Sequence, residues 1–144
     1  MILRRQFLIV LILPLILLAG CGMWSEMGTS SETTVSSQEK PLPVSLSADI
    51  AAELYRDGRA VIIDVRQDWE LEEMRVPDSI HIPLGELPQR MDEVPTDQRV
   101  VLLCRSGNRS GQALTLLSEE GFDNVHNLMG GITTWHSQGH PVEP

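Results

Sequence analysis

The sequence predicts an α/β domain with a small, mostly parallel sheet flanked by helices. Three observations predict it. Two continuous apolar runs, Ala60-Val61-Ile62-Ile63-Asp64-Val65 and Val100-Val101-Leu102-Leu103-Cys104, have the pattern of strands buried on both faces. Stretches with helical periodicity alternate with these runs along the chain. Gly58, Gly121 and the pair Gly130-Gly131 fall at the junctions between segments, and no internal repeat interrupts the order.

Taken in order, the elements have local causes. Pro41 and Pro43 mark the start of the folded part. Ser47 is placed to cap a helix whose Ile50, Ala51 and Leu54 share one face, and Gly58 ends it. The strand at 60–65 follows. A short helical stretch spans 69–74, a brief strand covers Ile80-His81-Ile82, and an apolar-bearing stretch runs over 84–91. After the second buried strand, a glycine-containing loop leads into an amphipathic helix from about 110 to 120. Its apolar face is Leu114, Leu116 and Leu117. A strand at 125–128 and a final helix carrying Trp135 complete the domain, with Trp135 read as a core anchor.

The folded part is expected at 43–144, about a hundred residues and enough for one core. Residues 1–20 read as a targeting signal: Arg4 and Arg5 precede an apolar run too short for a comfortable membrane span. Leu18-Ala19-Gly20-Cys21 resembles the lipobox of bacterial lipoproteins, which implies cleavage before Cys21 and acylation of its thiol. Arg4-Arg5 only partly resembles a twin-arginine signal, so the general secretory route is expected. Residues 21–42 are rich in Ser, Thr and Glu and read as a lipidated, flexible tether. The expected location is extracytoplasmic and membrane-anchored, with membrane contact through the lipid alone.

The formal net charge is −9, and it becomes more negative once Arg4 and Arg5 leave. Such a surface argues against nucleic-acid binding and gives no help with an anionic substrate, so any anion site must supply its own donors. With one Tyr, two Phe and three Trp, the core must be filled by Val, Ile and Leu. Of the two cysteines, Cys21 belongs to the signal and Cys104 is alone in the domain. A lone exported thiol invites a reactive explanation.

Cys104 ends a buried strand, and the loop after it opens into a helix N-terminus. Helix N-termini present unpaired N–H groups and partial positive charge, which lowers a thiol pKa from its usual value of about 8.5. Arg105, Ser106, Gly107, Asn108, Arg109 and Ser110 complete the loop, with two guanidinium groups and one glycine. The expected result is a cup of N–H donors around one sulfur, suited to a small oxyanion or to the outer sulfur of a persulfide.

Four segments in order resemble the single-domain rhodaneses, the thiosulfate sulfurtransferases. They are Asp64-Val65-Arg66 with Glu70; Ile82-Pro83-Leu84 with Glu86-Leu87; Cys104-Arg105-Ser106-Gly107-Asn108-Arg109-Ser110; and Gly130-Gly131-Ile132 with Trp135, then Gly139-His140-Pro141-Val142. The resemblance implies a rhodanese-like fold with a five-stranded sheet. It also implies ping-pong sulfur transfer without a cofactor: Cys104 takes sulfur from a small anionic donor such as thiosulfate and passes it to an external thiol or to cyanide. Arg105 and Arg109 would hold the donor, and backbone N–H groups of 106–110 would stabilise thiolate and persulfide. Asp64 is read as a brace that accepts hydrogen bonds from the loop or an arginine, and Arg66 as structural support or a surface ion pair. At Met74-Arg75-Val76-Pro77-Asp78-Ser79 the sequence departs from the family's G-H-I-P-G-A, which predicts altered fine structure there and intact chemistry at the thiol.

Two rival readings are separable. A cysteine phosphatase or arsenate reductase of related fold uses C-x5-R, one residue longer than the C-x4-R of Cys104 to Arg109, so its phosphate cradle has another diameter. A non-turnover carrier of sulfane sulfur would form the same persulfide and differ only in turnover. His81, His126, His136 and His140 lack ligand spacing on any helix face, so no metal site is expected. No cofactor fingerprint is present.

Overall fold

The structure is a computed structural model that describes residues 41–144. The expected signal at 1–20, Cys21 and the expected tether up to residue 40 lie outside the described residues. Five strands form one wholly parallel sheet: β1 (Ser45–Leu46), β2 (Ala60–Asp64), β3 (Ile80–His81), β4 (Arg99–Leu103) and β5 (Val125–Leu128), in the order β1-β5-β4-β2-β3. Helices α1 (Ala48–Arg56), α2 (Asp68–Glu73), α3 (Asn108–Glu119) and α4 (Gly131–Ser137) connect them, and two short 3-10 turns lie between β3 and β4. This is the α/β class with the five-stranded parallel sheet that the sequence implies.

Side-chain alternation along β4 divides the core. Val101 and Leu103 face a cluster built with α1 and α4, whereas Val100, Leu102 and Cys104 face one built with α3. The central strands β2 and β4 are apolar on both faces because helices cover both. Trp135 is fully buried in the first cluster, and its Nε1 donates to the Pro141 carbonyl at 2.8 Å. That is the anchoring role read from the sequence.

The local signals act as expected at α1. The Ser47 hydroxyl accepts from the Ile50 N–H at 3.4 Å, and Gly58 beyond the helix has φ +66°. Ile50 departs from the expected apolar face: it is 41% exposed, and Ala48, Ala51, Ala52 and Leu54 are the buried positions. The helix turns its small residues to the sheet, which lets its backbone approach closely. Strand β1 has two residues and no readable period, although Leu46 is fully buried beside β5. Helix α3 begins two residues earlier than its apolar pattern suggests, because the first turn is polar and belongs to the loop.

Segment 74–79 shows how the departure from the family pattern is accommodated. Asp78 takes φ +52°, a left-handed conformation that aspartate tolerates better than most residues. The Ser79 hydroxyl donates to the Val76 carbonyl at 2.7 Å, and Tyr55 donates to the Pro77 carbonyl at 2.8 Å. Arg75 pairs its backbone with Glu143 and its guanidinium with that carboxylate at 2.7 Å.

Candidate active site

The strand order places a switch point between β2 and β4. The chain goes from β2 outward to β3, then returns to the other side of β2 as β4 and continues outward to β5. Ligands of open α/β sheets gather at such points, beyond the carboxyl ends of the strands. Asp64 ends β2 there and Cys104 follows β4 directly.

Cys104 is 1% exposed, at the bottom of the loop it begins. The Gly107 N–H donates to its Sγ at 3.1 Å and the Ser110 hydroxyl donates at 3.3 Å. Burial pushes the thiol pKa up. Hydrogen bonds from the Ser110 hydroxyl and from the N–H groups of Ser110, Ser106 and Gly107 outweigh it, so the net shift is downward. The cup expected from the sequence is therefore present, with Gly107 at the head of α3.

Two glycine positions explain why the loop folds this way. Gly107 has φ +97°, and a Cβ there would meet the Leu128 carbonyl oxygen at 3.2 Å and the Gly130 nitrogen at 3.3 Å. Gly131 lets α4 press against the loop, since a Cβ would overlap the Cys104 carbonyl oxygen and lie 2.6 Å from the Arg105 carbonyl carbon. That approach gives two hydrogen bonds, Ile132 N–H to Cys104 O at 2.8 Å and Thr133 N–H to Arg105 O at 3.2 Å, and Thr133 Oγ1 adds a third at 2.9 Å. In a trans peptide the C=O and the next N–H point opposite ways. Holding the Arg105 carbonyl toward α4 thus turns the Ser106 N–H toward the sulfur.

The charged residues occupy three environments. Asp64 is fully buried and accepts from Arg66 Nε at 2.9 Å and Nη2 at 2.6 Å. Arg66 is buried as well, with Nη1 on the Glu70 carbonyl and Nη2 on the Met74 carbonyl, so it is an interior brace and not a surface ion pair. Arg109 points its fork at Glu70, with Nη1 to Oε2 at 2.6 Å and Nη2 to Oε1 at 2.8 Å. That bidentate contact, reinforced by the Gln67 N–H, holds the Glu70 carboxyl down at about 2 despite burial. Arg109 is thus positioned by a carboxylate beside the cup, where its charge also interacts with Cys104. Arg105 is exposed and lines a groove of about 160 Å³ with Trp69, Glu73 and Thr133.

Ser106 and Asn108 are exposed, and Asn108 Oδ1 accepts from Gln112 at 2.9 Å. His81, His126 and His140 contact the Arg66 carbonyl, the Pro43 carbonyl and Asp49 respectively, in separate places. Glu70 and Trp69 were not singled out as site residues by the sequence reading. Glu70 stands in the D-V-R-x-x-x-E segment, the one signal that could have placed it opposite a loop arginine.

The fold and loop together define a class: an α/β domain holding a buried, hydrogen-bonded thiol at the head of a helix. The chain belongs to the rhodanese-like domain family, whose model matches residues 47–138. A sulfurtransferase of Allochromatium vinosum is 40% identical over 96 residues, covering 67% of this chain and 90% of that protein. A thiosulfate sulfurtransferase of Pseudomonas syringae, GlpE, is 31% identical over 86 residues, covering 60% and 81%. The crystal structure of a rhodanese-related protein from Thermoplasma volcanium superposes with a TM-score of 0.62 at 34% identity, covering 69% of this chain and 96% of that one. These relatives support sulfur transfer of the rhodanese type.

Proposed function

We propose that the protein moves a sulfane sulfur from thiosulfate, or a similar small anionic donor, to a thiophilic acceptor through a persulfide on Cys104. The single observation that carries this reading is the buried Cys104 sulfur, held by the Gly107 N–H and the Ser110 hydroxyl with its pKa lowered. The thiolate attacks the outer sulfur of the donor, the donor's S–S bond breaks, and sulfite leaves with the electron pair. An external thiol or cyanide then attacks the outer sulfur of the persulfide and releases the Cys104 thiolate. Arg105, exposed beside the cup, meets the donor's charge, and Arg109, clamped by Glu70, offsets negative charge at the sulfur. Asp64 and Arg66 support the loop's neighbourhood from within.

The acceptor comes from outside the domain, because Cys104 is the one cysteine among the described residues. We further propose that residues 1–20 direct export and that acylated Cys21 anchors the domain on the extracytoplasmic side of a membrane. Globomycin treatment should then leave an uncleaved precursor; normal processing removes the anchor from the proposal.

Mass spectrometry after thiosulfate exposure should show one added sulfur on Cys104, and steady-state turnover with thiosulfate and cyanide should follow. Cys104→Ser is expected to lower turnover by on the order of a thousandfold or more. An unmodified thiol after exposure overturns the reading. Stoichiometric loading without turnover makes the protein a carrier.

A further inference from the structure

The start of α2 is held by a side chain that neither the cup nor its braces use. His81 ends β3, half-buried, in register with Asp64 at the carboxyl edge of the sheet. Its Nε2 lies 2.9 Å from the Arg66 carbonyl oxygen, and its Nδ1 lies 3.4 Å from Asp68 Oδ1. A carbonyl only accepts, so Nε2 carries a hydrogen. Nδ1 then presents a lone pair to the carboxylate unless the ring is protonated. The neutral ring makes one hold on the start of α2, and the imidazolium makes two. The other charged groups around the ring are committed elsewhere. Asp64 closes on Arg66, and Arg90, whose Nη2 donates to the His81 carbonyl at 3.2 Å, closes on Glu86 and Glu93.

Both holds fall in the turn that sets Glu70. Arg66 and Asp68 flank Gln67, whose N–H donates to Glu70 Oε2 at 3.1 Å. The same oxygen accepts from Arg109 Nη1 at 2.6 Å. We infer that His81 is a positioning residue: it latches the start of α2 so that Glu70 faces Arg109, and protonation of its ring tightens the latch through Asp68. The inference rests on the proposed reaction, in which Arg109 offsets negative charge at the sulfur, and adds a proton-dependent control over that charge. Histidine ordinarily changes charge between about pH 5 and 8, which sets the range to test.

Alkylation of Cys104 in the full chain, followed on the Cys104 peptide by mass spectrometry, tests this. Iodoacetate is an anion and iodoacetamide is neutral. The ratio of their rate constants therefore reports local positive charge and cancels the thiolate fraction. At about pH 5.5, His81→Gln should lower this ratio about threefold, and Asp68→Asn similarly. The Asp68 side chain is 87% exposed, so its substitution leaves the core intact. Combining the two should add nothing, since they remove the same contact. At about pH 8.5 both single variants should match the parent, because the substituted amide still donates to the Arg66 carbonyl. In a Glu70→Gln background, His81→Gln should have no effect at either pH. A ratio that neither substitution changes, equal falls at both pH values, or a fall that persists without the Glu70 carboxylate overturns the latch. Failure of Cys104 to take sulfur from thiosulfate overturns the proposed function instead, and the alkylation ratios still decide the latch.

Discussion

Of the positions in the domain with left-handed backbone, Gly107 and Asp78 tolerate side chains very differently. Gly107 turns the loop below Cys104 with φ +97°, and Asp78 turns segment 74–79 with φ +52°. At Gly107 the neighbours are backbone atoms of Leu128 and Gly130, which cannot step aside without moving β5 and α4. Asp78 lies at the surface, where its side chain extends into solvent. A side chain carries a torsional cost at either position, but only at the first is it also crowded, by backbone atoms 3.2 and 3.3 Å from its Cβ. The comparison explains how this chain departs from the family pattern at 74–79 and keeps the cysteine loop whole.

The largest effect should come from closing the tight side. Gly131→Ala sets a Cβ against the Cys104 and Arg105 carbonyls, and relief requires α4 to withdraw from the loop. We expect a loss of about 2–4 kcal/mol in chemical unfolding, with turnover falling alongside. A variant as stable and active as the parent would show that the α4 contact does not shape the cup.

Next comes the brace of the second loop arginine. Glu70→Gln removes the charge that holds Arg109, so turnover should fall while most of the fold remains. The pH dependence follows from the sign of the shift. Glu70 lies near 2 when folded against an ordinary 4.5, so its pairing stabilises the protein fully above 4.5. That contribution is lost as pH falls through about 2. Acid unfolding of the variant should show less of this dependence; identical acid profiles would sever Glu70 from the argument.

Ser110→Ala deletes the hydroxyl that donates to Sγ and leaves the N–H donors. The thiol pKa should rise, moving the acidic limb of the kcat/KM profile to higher pH, with a loss of about tenfold near neutrality. An unmoved limb would assign the lowered pKa to the backbone alone. The smallest effect is expected at the open turn. Asp78→Gly exchanges a strained aspartate for a freer residue in both folded and unfolded chains, so stability should change by less than about 1 kcal/mol. Turnover should stay with the parent; a large loss would mean that segment 74–79 reaches the site.

Much of this is legible along the chain. The buried strands, the Ser47 cap, the loop after Cys104 and the core role of Trp135 all rest on local chemistry, in which residue type and spacing suffice. The site's inner electrostatics are another matter. Read alone, Arg66 and Arg109 are two cations of equal standing, yet one closes on Asp64 in the interior and the other on Glu70, 39 residues away. Glu70 and Trp69 are neighbours on a six-residue helix, but one is buried against the loop and the other stands over the groove.

Sequence by itself determined the sheet-forming runs other than β1, the helix boundaries to within a turn and the nucleophile candidate with its cup. It did so because backbone periodicity, capping and left-handed glycines act over a few residues. Tertiary structure alone decided which carboxylate faces which arginine and which charges stay open at the groove. Those outcomes depend on how β2, β4 and α4 converge, and bringing distant segments together is a property of packing rather than of any local stretch.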